Sequence, residues 1–174
     1  MGFIINLKAR KILKLYIWAN YITQTKTGTP MLTEEDRERI GNTLMSFIKS
    51  DNEWTDYCNL IDKDTSLTSE QIFGKQKEKL VEIFEKYCTV KDRVLGRPTS
   101  FSYSIKKPED PFADEKIVTI EEGGSKNKAI VFTEKNDSLQ SKYQYSLQKK
   151  GEIWLLDSKK RYSSWKKKWI TESL

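Results

Sequence analysis

Apolar positions along this chain keep a helical period up to about Cys88 and a period of two after Gly96. Thr33 is a good N-cap, and Glu34, Glu35 and Asp36 behind it complement the free amides and the dipole of a helix start. Ile40, Leu44, Phe47 and Ile48 then fall on one helical face, predicting a helix over 33–50 with an aromatic second part at Trp54, Tyr57 and Cys58. The polar run DKDTSLTSEQ interrupts the pattern. Thr68 and Gln71 have the spacing of a capping box, and Leu80, Ile83, Phe84, Tyr87 and Cys88 share a face, predicting a second helix over 69–88 in spite of Gly74.

Beyond Gly96, Phe101, Tyr103 and Ile105 alternate with polar residues, predicting a strand. KKPEDPFADE, with its two prolines, breaks the chain. KIVTIEE (Val118 and Ile120 on one face), AIVFT, KYQYSLQKK and EIWLLDSKKRY follow, separated by short turns that impose antiparallel neighbours. In the last of these, Trp154, Leu156 and Ser158 share one face and Ile153, Leu155 and Asp157 the other. Two helices before about five strands, the last four a meander, predict an α+β domain with its helices packed on an antiparallel sheet.

Residues 1–30 stand apart as a basic amphipathic extension and linker, and residues 31–174 form the domain. The extension carries Lys8, Arg10, Lys11, Lys14 and Lys26 and no acid; these cations break up any long apolar run, so no transmembrane helix is expected. LYIWANYI is short and lacks a cleavage site, which argues against a signal peptide. A basic amphipathic helix there is suited to touching a membrane surface. TQTKTGTP then reads as a linker.

The formal net charge of +6 is unevenly spread. Residues 31–138 hold 17 basic and 22 acidic groups, whereas residues 139–174 hold nine basic and three acidic. Such asymmetry steers an anionic partner or is simply solvated surface, the commoner case. There is no histidine, so no Ser-His-Asp or Cys-His arrangement can exist, and the commonest general base near neutral pH is missing. Cys58 and Cys88 have no ligand partners at zinc spacing and read as buried hydrophobes of a reducing, cytoplasmic compartment. Asp62, Asp64 and Ser66 imitate the start of a calcium loop, but Leu67 stands where glycine is needed and Phe73 where the closing glutamate is needed, so that motif fails. No cofactor or metal is expected.

NEWTDYC after the first helix, RPTSFSYSI, KAIVFTEK and the terminal block KYQYSLQKKGEIWLLDSKKRYSSWKKKW carry a family resemblance. In the order of its elements the chain from Met31 onward resembles the cone-shaped nuclear transport factor 2-like (cystatin-like) fold, and within it the immunity proteins of bacterial polymorphic toxin systems. The resemblance implies helices on a curved antiparallel sheet. It also implies a non-enzymatic protein, encoded beside a toxin, that binds this toxin and covers its working surface.

Two other functions compete. The basic, aromatic C-terminus, with Arg161, Tyr162, Trp165, Lys166, Lys167, Lys168 and Trp169, suits phosphates and bases as well as a protein partner, although nucleic acid is the lesser expectation. Among its members, Arg161, Tyr162, Trp165, Lys166, Lys167 and Trp169 are the candidate partner-binding residues. Glu109, Asp110, Asp114 and Glu115 are an opposite, acidic candidate, more simply read as a solvated loop. A small-molecule or dehydratase- or isomerase-like enzyme of this fold would need a buried acid, for which the chain offers Asp157 with Tyr103 or Tyr145.

Overall fold

The computed structural model describes residues 32–93, 96–104 and 115–174. The basic extension over 1–30 and the acidic candidates Glu109, Asp110 and Asp114 therefore lie outside the described residues. Among the described residues, two helices, α1 (Glu34–Ile61) and α2 (Ser69–Tyr87), precede five strands: β1 (Glu115–Glu122), β2 (Lys128–Lys135), β3 (Lys142–Lys150), β4 (Ile153–Ser163) and β5 (Lys168–Glu172). The strands form one antiparallel sheet in sequence order, and the helices cover one of its faces. This is the expected α+β arrangement.

Both helix starts are capped as the residues predict. Thr33 accepts the Asp36 amide at 3.0 Å, and Thr68 and Gln71 close a reciprocal capping box. The first helix, however, does not end near residue 50. Its buried stripe of Ile40, Leu44 and Phe47 continues through Trp54, Cys58 and Ile61. Asp51 lies between Phe47 and Trp54 in this spacing and would interrupt the stripe as an unpaired charge. Arg97 supplies the missing partner as an ion pair, and the helix runs on for 28 residues.

The stretch predicted as a first strand, from Phe101, is not one. Its described residues, 101–104, alternate in burial but join no sheet, and Ile105 lies outside the described residues. Side chains satisfy its backbone instead: Asn59 donates to the Ser104 carbonyl at 3.1 Å and Arg97 to that of Ser102 at 3.1 Å. Its aromatic rings close on Trp54, edge-on, with centroids at 5.4 Å for Phe101 and 5.8 Å for Tyr103. The Arg97 guanidinium lies 4.7 Å from the same indole, whose N–H donates to the Gln76 carbonyl at 2.8 Å. Trp54 thus joins α1, α2 and the 96–104 segment. The fifth strand is β5, which turns the predicted C-terminal tail into the second arm of a hairpin with β4.

Ala129, Val131, Tyr145, Leu147, Trp154 and Leu156 form the sheet side of the core, against Ile40, Leu44, Phe47, Leu80 and Phe84. Two β-bulges modify the simple alternation. One falls at Val118 and leaves it exposed, while Ile117 and Ile120 pack on the core instead of the expected Val118–Ile120 pair. The other falls at Asp157: Leu156 pairs with Leu147, Ser158 pairs with Ser146, and Asp157 is the extra residue. Ser158 consequently turns to the face opposite Trp154 and Leu156, and Lys159, paired with Tyr145, takes the inner face. Gly151, at φ +60°, makes the two-residue turn between β3 and β4. Cys58 and Cys88 are free and buried, and burial pushes each thiol up to about 12. Both are therefore inert packing groups.

At the start of α1, Asp36 accepts from the Trp154 indole at 3.0 Å and from the Lys149 ammonium at 2.9 Å. These hydrogen bonds, led by that of Lys149, hold its carboxyl down to about 2 from an ordinary 3.8. A carboxyl depressed on folding stabilises the fold above its unfolded pKa, and that contribution is lost as pH falls from about 4 through 2. Asp36→Asn should therefore flatten the acid loss of Tm in this window. Asp36→Ala should cost roughly 1–3 kcal/mol in urea unfolding at neutral pH, because the buried indole N–H loses its acceptor. Trp54→Ala should cost about 3–5 kcal/mol in the same measurement and should raise amide exchange across residues 96–104, the segment it anchors.

Candidate functional site

Of the candidates for chemistry or binding, the described residues include the interior between helices and sheet, the acid Asp157, Glu115 of the acidic group, and the basic, aromatic C-terminus. The interior is filled. Trp54, Trp154, Tyr145, Leu147 and Leu156 are all at most 2% exposed and pack against the helices. A cleft of about 380 Å³ remains at one end, between the Phe47–Asn52 part of α1 and the inner face of β3, β4 and β5. The bulge at Asp157 places Lys159 there, with its ammonium 4.3 Å from the Tyr143 ring and 5.5 Å from that of Tyr145. Burial pulls this ammonium below its ordinary pKa, against the opposing pull of Glu115 and Glu172. Burial likewise drives the Tyr145 phenol well above its ordinary value.

The carboxylates lining this cleft are engaged. Asp51 pairs with Arg97, Glu115 accepts from Thr133, and Glu172 accepts from Arg161 at 3.0 Å. Glu115 therefore serves the inner face of the sheet. Nor does Asp157 meet Tyr103 or Tyr145, the phenols offered for it by the sequence. Asp157 accepts from Thr89 at 2.9 Å and from Lys91 at 3.3 Å, while its carbonyl takes a hydrogen bond from Arg93 at 3.2 Å. Tyr103 instead donates to Asp62, and Gln76 donates to the Tyr103 hydroxyl at 3.1 Å. Asp157, Tyr103 and Tyr145 thus have separate partners, and the acid's work is to pin the chain leaving α2 onto the bulge. Among the described residues, no group of three or more His, Cys, Asp and Glu side chains could hold a metal ion, and no helix is long and apolar enough to cross a membrane.

The C-terminal candidates are divided between two sides of the sheet and a turn. Tyr162 pairs with Trp169 across the β4–β5 ladder, their rings edge-on at 5.4 Å, and Phe132 of β2 approaches Trp169 at 5.6 Å. The three half-buried rings make a cluster on the sheet face that the helices leave uncovered. Arg161, paired with Tyr143 in the ladder, belongs to the other face and is held by Glu172. Trp165, Lys166 and Lys167 form the connecting turn, where Trp165 is 93% exposed and Lys167 has φ +49°. Phe132 was missed from sequence because its neighbours in the cluster are separated from it by thirty or more residues. Only strand register brings them together.

A family model described as "NTF2 fold immunity protein" matches residues 39–173, which takes in most of α1, all of α2 and the whole sheet. The chain is also similar to "Immunity protein RhsIA" of Dickeya dadantii (strain 3937), with 30% identity over 131 residues, 75% of this chain and 93% of that protein. No solved structure matches it significantly. The helices on one face of an antiparallel meander and these matches have one reading: the chain belongs to the NTF2 fold immunity protein family.

Proposed function

We propose that this immunity protein neutralises a cognate toxin of a polymorphic toxin system by binding it in a stoichiometric complex and covering its working surface, without catalysis. The observation that carries this reading is the division between inside and outside. Apart from the cleft at one end, the described side chains beneath the helices are packed into a core, whereas large aromatic groups stand on the sheet face away from α1 and α2 and on the β4–β5 turn. Tyr, Trp and Arg are the residue types that dominate protein–protein hot spots. Tyr162 and Trp169 contribute the flat aromatic part of the contact, and Trp165, Lys166 and Lys167 the protruding part. Arg161 acts from the sheet's other face, at the rim. The encounter takes place in the cytoplasm of the producing cell, where two free thiols remain reduced.

The test is titration of the toxin domain encoded beside this chain's gene. Toxin activity should fall linearly and vanish at about one equivalent, and the mixture should elute as a single complex. Neutralisation by catalytic amounts, or the absence of a complex, would refute the proposal.

A further inference from the structure

At one corner of the sheet the β2–β3 turn lies beside the β4–β5 turn. Between them runs a groove of about 290 Å³ lined by Leu139, Gln140, Ser141 and Lys142 on one side and Arg161 to Trp165 on the other. Both turns are built rather than slack. Asp137 accepts the amides of Leu139 and Ser141 at 3.1 and 2.9 Å, which depresses its pKa, and Gln140 takes φ +47°. Across the groove, the Ser163 hydroxyl accepts the Lys166 amide at 3.2 Å. These preorganised turns nevertheless hold two large apolar side chains out into water, Leu139 at 79% and Trp165 at 93% exposure.

The charges around them point one way. Lys142 is paired with Glu134 and Arg161 with Glu172, and the Asp137 carboxylate is turned onto its own backbone. Lys166, Lys167 and Lys168 form no ion pair with any described residue. The corner therefore presents three unneutralised cations beside a groove with an apolar lip on each side. We infer that this corner is the docking site for an acidic protein segment of the toxin, one that seats an apolar side chain between Leu139 and Trp165 and sets its carboxylates against Lys166–Lys168. The inference rests on the toxin-binding reading above and adds to it the chemistry of the partner. A nucleic acid fits less well. The groove's own cations already have carboxylate partners, and an aliphatic lip at Leu139 offers no stacking surface.

The experiment measures binding of the full chain to the toxin domain encoded beside its gene by interferometry, at low and at moderate salt. Leu139→Ala/Trp165→Ala should weaken binding by roughly 30-fold or more, the scale of a lost hot spot. Lys166→Glu/Lys167→Glu should slow association about tenfold at low salt and flatten its salt dependence. Leu60→Ala, at an exposed site on α1, is the control and should bind like wild type. Tm and far-UV circular dichroism check that each variant folds. If wild type binds and both corner variants bind equally well, the docking site is wrong and the toxin-binding reading stands. If wild type does not bind, the reading itself fails and the inference with it. If the charge reversals abolish salt-dependent binding to generic duplex DNA or RNA and leave toxin binding intact, the corner is a nucleic-acid site and the inference is overturned.

Discussion

The extra residue at Asp157 is the constraint on which the rest of the sheet depends. Up to Leu156, strand β4 puts Trp154 and Leu156 under the helices. Past the bulge the alternation is inverted, so Lys159 and Arg161 turn inward to the open end and Tyr162 turns outward to meet Trp169. Without the shift, Ser158 and Lys160 would occupy the inner face and Tyr162 would be buried beside them. A bulge costs ladder pairing and leaves a polar residue out of register, so something must hold it. Thr89 and Lys91 hold the Asp157 carboxylate, Arg93 holds its carbonyl, and Thr89 donates its amide to the Leu156 carbonyl at 2.8 Å. The chain leaving α2 is thus the clamp on β4.

Two tryptophans link this clamp to the remaining elements, each through an apolar ring and a satisfied N–H. Trp154 reaches Asp36 at the start of α1, and Trp54 reaches the Gln76 carbonyl in α2. Buried indoles of this kind contribute area in every direction but tolerate only one placement of the donor. They set the position of the helices on the sheet, which apolar contact alone would leave loose. Where a charge falls on a buried stripe, as at Asp51, a partner arrives from a distant segment, here Arg97. Asp36, Asp51 and Asp157 serve the architecture in this way.

The outer surface follows different rules. Tyr162, Trp169 and Phe132 shield one another on the sheet face away from α1 and α2, and Leu139 and Trp165 are among the most exposed of the described apolar side chains. Folding alone does not favour such exposure. It fits a protein whose work is to be covered by another. The same Lys-rich turn that looks like a polyanion grip in linear order is a hairpin tip beside a mixed apolar and basic groove in space.

Much of this was legible in linear order. Caps at Thr33 and Thr68, the 3.6-residue stripes, the change to period two and the short turns were enough for two helices and a meander, because these signals involve residues within a turn or two of each other. Other features were not. The chain from Phe101 alternates like a strand but lies on Trp54, since its partners are side chains on two helices and not a neighbouring strand. The helix continues through Asp51 only because Arg97, forty-six residues later, neutralises it. The roles of Ser158, Lys159 and Tyr162 depend on a bulge, and a single inserted residue inverts every later side chain without leaving a mark in composition or period. Local periodicity therefore determined which elements exist, whereas long-range pairing decided which faces they show, because register is set by contacts between residues far apart in the chain.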